Sequence, residues 1–172
     1  TAKSKFIPIA SISFSFKTRT LIPSFLNFFS SFSNRLVFKK FAGKLIPAEL
    51  QDMHNYMKWE PFGVVAQILP WNSPIGTLIW KLAPCLAAGN TVVLKPSEQA
   101  SCSILELMDI LLDADIPPGV LNVVTGYGLT TGEPLIDHPD VRMVSFTGGT
   151  NGGKAAAKIA SQQVKPIVME LG

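Results

Sequence analysis

Pro70-Trp71-Asn72-Ser73-Pro74 sets an amide and a hydroxyl between two prolines, directly after the short apolar run Gly63 to Leu69. Proline has no N–H for a sheet ladder, so the chain must leave the sheet here and expose its side chains. An amide held at such a corner is a site candidate, although Asn also serves there in Asx turns and helix caps. A second group, Lys95, Ser97 and Glu98, follows Thr91 to Leu94, whose β-branched and apolar residues read as a strand buried on both faces. In an open α/β sheet, ligands bind at the carboxyl ends of the strands, which is where these three residues fall. A third group, Gly148-Gly149-Thr150-Asn151-Gly152-Gly153, follows one predicted strand and opens a predicted helix. Glycines let the backbone approach a phosphate, and the free N–H groups of a helix start favour negative charge. A plain strand-to-helix turn has the same composition, so this loop takes its meaning from its neighbours. Glu170 ends the last predicted strand and, on its own, reads as a surface carboxylate.

The elements that must position these groups are legible from periodicity. Ile75, Leu78, Ile79, Leu82 and Leu86 recur at helical spacing after Pro74, a residue suited to a first helical turn. Pro84 lies inside that pattern and should bend or shorten the helix, because it removes the bond to the Trp80 carbonyl. Gly89-Asn90 stops it. A second helix is expected from Ser101 to Ala114, with Ser103 and Glu106 spaced for a capping box. A third strand runs from Val120 to Thr125, and Gly126, Gly128 and Gly132 form a loop that permits close backbone approach. After a short helix through Leu135 and Ile136 come a fourth strand (Val141 to Thr147), a helix (Thr150 to Ala160) and a fifth strand (Ile167 to Glu170). Strands and helices alternate with connections too long for hairpins, which calls for a parallel sheet covered on both faces. The fold class is therefore α/β, a Rossmann-like parallel sheet of about five strands.

Composition bounds the function classes. The 172 residues are 47% apolar, enough for one domain with a core. The net charge of +3 misleads, because no acidic residue precedes Glu49. From Glu49 onward seven basic residues face twelve acidic ones, a net −5, and nucleic-acid binding is not expected. No uncharged apolar run reaches membrane-spanning length, since Lys81 interrupts the best one, so no membrane role is expected. Cys85 and Cys102 stand alone, without a CxxC or Cys/His grouping, and imply neither a disulfide framework nor a metal. Residues 1–45 form a separate basic, Phe/Ser-rich segment that holds nine of the eleven phenylalanines and is expected to be disordered or poorly packed. Part of a mitochondrial transit signature is present, but the segment has only Arg19 and Arg35 and is too aromatic. It reads instead as a truncated or wrongly joined coding sequence, and the expected compartment is the cytoplasm.

PWNSP at Pro70 to Pro74, LAPCLAAGNTVVLKPSE at Leu82 to Glu98, FTGGT at Phe146 to Thr150 and MELG at Met169 to Gly172 resemble, in order and spacing, the aldehyde dehydrogenase superfamily. The likeness runs over roughly Ile46 to Gly172 and implies that residues 46–172 are an NAD-binding domain. The implied reaction oxidises a small-molecule aldehyde to a carboxylic acid through a Cys thioester. By resemblance, Asn72 shares the oxyanion with the nucleophile's backbone N–H, and Glu170 activates the water that releases the acid. Lys95 and Glu98 bind the adenosine ribose; because a carboxylate there repels a 2′-phosphate, NAD is favoured, with NADP left open. Leu69, Pro70 and Trp71 should line the cofactor channel, with Ser97, Gly128, Gly132, Phe146, Thr147, Gly148, Gly149, Thr150 and Gly153 completing the cofactor set. The family often has Ser at the position of Gly149. The nucleophilic Cys is expected beyond Gly172, so these residues alone should be inactive, and a homo-oligomer is expected only for a full-length chain. The competing reading is a non-catalytic nucleotide-binding or interaction remnant.

Overall fold

The computed structural model describes residues 43–47, 54–112 and 116–172. The expectations for residues 1–42, and for the end of the second predicted helix at 113–114, lie outside them. A small antiparallel pair comes first, β1 (Lys44–Ile46) with β2 (Asn55–Met57), its residues exposed.

The main body is a five-stranded parallel sheet built from β3 (Val64–Ile68), β4 (Thr91–Lys95), β5 (Leu121–Val123), β6 (Val141–Gly148) and β7 (Ile167–Leu171). Its spatial order is β5-β4-β3-β6-β7. The chain grows outward from β3 in one direction, then returns to lay β6 on the other side of β3. The gap between β3 and β6 is thus the switch point of the sheet, where crossovers diverge and a crevice opens at the carboxyl ends.

Helices cover both faces. On one side, α1 (Pro74–Ala87) and α2 (Ser101–Leu112) bury Leu78, Leu82, Ile104, Leu107 and Leu111 against Val92 and Leu94 of β4. On the other, a π-helical turn (Gly128–Gly132) leads into α3 (Glu133–Asp137), and α4 (Thr150–Gln162) follows β6. Ile136, Ala156 and Ala160 there pack on Ala66, Val144 and Phe146. Burying this apolar surface, at roughly 25 cal/mol per Å², is what holds the two helical layers to the sheet. No helix among the described residues is long and apolar enough to cross a membrane.

Three local expectations need correction. α1 is not cut short at Pro84: it runs through that residue and stops three residues later, before Gly89, which takes φ 82° and whose N–H reaches the Leu86 carbonyl. Burial of Leu78, Leu82 and Ala83 on the sheet outweighs one missing backbone bond. Ser103 is not a helix cap: α2 already begins at Ser101, and the Ser103 hydroxyl donates back to the Ala100 carbonyl at 3.2 Å. Residues 128–132, expected as a loop, form the π-helical turn instead, with the Thr131 and Gly132 N–H groups both directed at the Tyr127 carbonyl.

Candidate functional site

A cleft of about 620 Å³ opens at the carboxyl ends of β3, β4, β6 and β7, across the switch point. Each wall comes from one strand end. From β3 come Leu69, Pro70, Trp71 and Asn72; from β4, Lys95, Ser97 and Glu98; from β6, Phe146 to Gly149; and from β7, Glu170.

The corner after β3 is fixed at both ends. The Leu69 N–H extends the ladder to the Lys95 carbonyl at 3.0 Å, and Ser73 ends the corner as the residue before α1, its carbonyl accepting from Thr77. Asn72 is exposed between them, and its amide makes no side-chain hydrogen bond to another described residue. Trp71 is exposed beside it.

Lys95 is 3% exposed, unusual for a lysine. Its ammonium donates to the Pro96 carbonyl at 3.1 Å and lies 3.7 Å from a Glu98 carboxylate oxygen. Burial lowers the lysine's pKa, and the Glu98 charge works against that fall. The lysine stem runs past Gly132, where a Cβ would sit in van der Waals contact, 3.4 Å from Lys95 Cδ. Glu98 is itself exposed, its carboxylate open to the cleft.

The glycines at the end of β6 are there for space. A Cβ on Gly148 or Gly152 would stand 2.9 or 3.1 Å from the Phe146 ring, whereas one on Gly149 would meet nothing. Backbone N–H groups at the start of α4 therefore border the cleft without side-chain cover. The Thr147 hydroxyl is buried in this wall with no protein partner.

A second, apolar slot of about 360 Å³ continues from the cleft between the π-helical turn and α4. Tyr127, Leu129, Ile136 and Ala156 line it, and Lys95, Gly128, Phe146 and Gly152 are common to both spaces.

Most of the expected site residues meet here: Leu69, Pro70, Trp71, Asn72, Lys95, Ser97, Glu98, Gly128, Phe146, Thr147, Gly148, Gly149 and Glu170 line the cleft, and Gly132 the slot. Thr150 and Gly153 line neither. Thr150 starts α4 with its hydroxyl directed at the Gly172 carbonyl, and Gly153 is buried under the Leu171 side chain. Gly152 faces both spaces; it was named in the glycine loop but not carried into the expected cofactor set. Helical spacing from Gly149 through Gly152 to Ala156 was the signal that could have found it.

The model of the aldehyde dehydrogenase family matches residues 15–172. The chain belongs to the aldehyde dehydrogenase family. The match reaches back beyond Ile46, where the likeness was expected to begin. The fluoroacetaldehyde dehydrogenase of Streptantibioticus cattleyicolor is 48% identical over 141 residues, which is 78% of this chain and 28% of that relative. Among solved structures, a betaine aldehyde dehydrogenase from Staphylococcus aureus in complex with NAD+ superposes with a TM-score of 0.78 at 34% identity, over 90% of this chain and 30% of that one. A variant of aldehyde dehydrogenase C from Pseudomonas syringae, complexed with NAD+ and octanal, gives 0.67 at 44% identity, over 68% and 24%. The chain thus spans 24% to 30% of the length of these aldehyde dehydrogenases.

Proposed function

We propose that these residues are the cofactor-holding part of an NAD-dependent aldehyde dehydrogenase that oxidises a small-molecule aldehyde to a carboxylic acid. The observation that carries this is the convergence, in one cleft at the switch point, of the glycine loop, the Lys95–Glu98 pair, Asn72 and Glu170. The residues fit a dinucleotide in three independent respects. Gly149 leaves the start of α4 bare for a pyrophosphate, the slot beside Tyr127 and Ile136 is apolar enough for a purine, and the buried Thr147 hydroxyl lacks a protein partner.

Each residue then has a distinct task. Glu98 accepts hydrogen bonds from ribose hydroxyls and repels a 2′-phosphate, which favours NAD over NADP. Lys95, held by Pro96 and Glu98, borders the same sugar. The bound dinucleotide supplies the hydride acceptor. Asn72 donates its amide N–H to the aldehyde oxygen as negative charge gathers there. Glu170 accepts a proton from the water that attacks the thioester.

Neither cysteine of the chain is placed to attack the aldehyde. Cys102 is exposed on the first turn of α2, and Cys85 lies on α1, where burial pushes its thiol up to about 11 despite the Gln67 amide nearby. The nucleophile is assigned to neither of them, and homo-oligomerisation is proposed only for an enzyme of the relatives' full length. Cytoplasmic residence is part of the same proposal.

Calorimetric titration with NAD tests the reading. Saturable binding is expected, weaker for NADP. Glu98→Ala should weaken NAD binding about 10- to 100-fold, the loss of charge-assisted hydrogen bonds worth roughly 1.5–3 kcal/mol. Equal affinity for NAD in the variant would contradict the assignment of Glu98.

A further inference from the structure

Among the described residues, a further cavity is lined by Glu170, which also borders the cleft. It measures about 610 Å³ and is bounded by α1, the outer half of the sheet at β6 and β7, and the segment entering β3. Trp59, Phe62, Val65, Trp80, Met143 and Val168 make its walls mainly apolar. Into it project a lysine, a hydroxyl and a carboxylate: Lys81 Nζ donates to Ser145 Oγ at 2.7 Å, and Glu170 lies close enough for its charge to act on Lys81. The other titratable groups on the walls are Glu60 and Cys85.

We propose that Lys81 is a covalent capture site for apolar aldehydes, its ε-amine forming a reversible imine while the hydrocarbon part of the aldehyde lies among the apolar walls. Three features of the cavity serve that step. The amine is tethered to a hydroxyl that can pass a proton, the cavity is open and large enough for a medium-sized carbonyl compound, and burial supplies the reactive form. Desolvation lowers the Lys81 pKa to about 8, against the opposing charge of Glu170. An ordinary lysine at about 10.4 is almost wholly protonated near neutrality, whereas Lys81 is neutral in a sizeable fraction. Cys85, the other nucleophile on these walls, has its thiol held up at about 11 and remains unreactive.

The step balances without an oxidant. The Nζ lone pair adds to the carbonyl carbon, and one proton moves from nitrogen to oxygen by way of Ser145, giving a carbinolamine. Its hydroxyl leaves as water with the second nitrogen proton, relayed by Glu170, and a C=N bond remains. No dinucleotide takes part, so the capture stands or falls independently of cofactor binding.

Hexanal with sodium cyanoborohydride, which reduces the imine to a stable amine, tests this on the 172-residue chain, with sites and rates read by peptide mass spectrometry. At pH about 7.5 Lys81 should be labelled at least ~10-fold faster than the exposed Lys154 and Lys158, because burial favours the neutral amine that adds to the aldehyde. The preference should vanish in concentrated urea and with the polar aldehyde glyceraldehyde. Ser145→Ala should slow labelling at Lys81 and leave Lys154 unchanged. Labelling of Lys81 no faster than Lys154, or a Lys81 rate indifferent to Ser145→Ala, would overturn the proposal.

Discussion

At the scale of single residues, charge placement divides the site into two neighbouring environments. Lys95 sits beside its carboxylate, Glu98, whereas Lys81 is held chiefly by a neutral hydroxyl, with Glu170 acting on it only through its charge. The latter has a consequence for stability. Lys81 titrates near 8 in the folded protein and near 10.4 when unfolded, so between those values the unfolded chain binds more protons. Stability therefore rises with pH across that window, and Lys81 disfavours the fold below it. Lys81→Met should flatten this rise in urea midpoints measured between pH about 7 and about 10. Lys95 and Lys165, both lowered by burial, will keep some of it. For the proposed reaction, Glu170→Gln in a chain that includes the nucleophile should slow acid release while leaving the first acyl burst intact. Loss of the burst would remove Glu170 from the role of water activator. Much of this was readable in the residues: Asn72 between prolines, Glu98 after a buried strand, glycines before a helix. Lys81 was not, since its partner Ser145 is 64 residues away. Only the sheet register brings β6 beside β3 and turns Gln67 and Ser145 to the same face.

At the scale of elements, α4 borders the cleft with its start, and its far end and its packing on β7 can be probed separately. The helix stops in a left-handed turn, with the Val164 N–H reaching the Ser161 carbonyl and the Lys165 N–H the Ala160 carbonyl. Val164 takes φ 54° while 89% exposed, a conformation that crowds a β-branched side chain and gains no burial in return. Val164→Gly should stabilise the domain by about 1 kcal/mol in urea denaturation, having no Cβ to strain. Gly153→Ala should change stability by no more than about 1 kcal/mol in urea denaturation, because the outer methyls of the exposed Leu171 side chain can swing aside and alanine is the better helix former. Strand and helix positions followed from the alternation of β-branched runs with helical spacing. What periodicity could not supply was competition between levels: Pro84 breaks a local rule, yet the buried face of α1 carries the helix past it.

At the scale of the whole molecule, the order β5-β4-β3-β6-β7 determines that one crevice collects residues from Leu69 to Glu170. Parallel strands all end on the same side, so every side chain that leaves a strand at its carboxyl end borders the same space. The apolar slot beside Tyr127 depends on two segments meeting on one face of the sheet and had no signature in either alone. The central claim, that a dinucleotide lies across this crevice, is tested most directly by amide hydrogen exchange on the 172-residue chain with and without saturating NAD. Protection should appear in residues 126–133 and 147–153, the two segments that flank the slot and open α4. Protection confined to the Lys81 cavity, or no change at all with NAD in large excess, would contradict it.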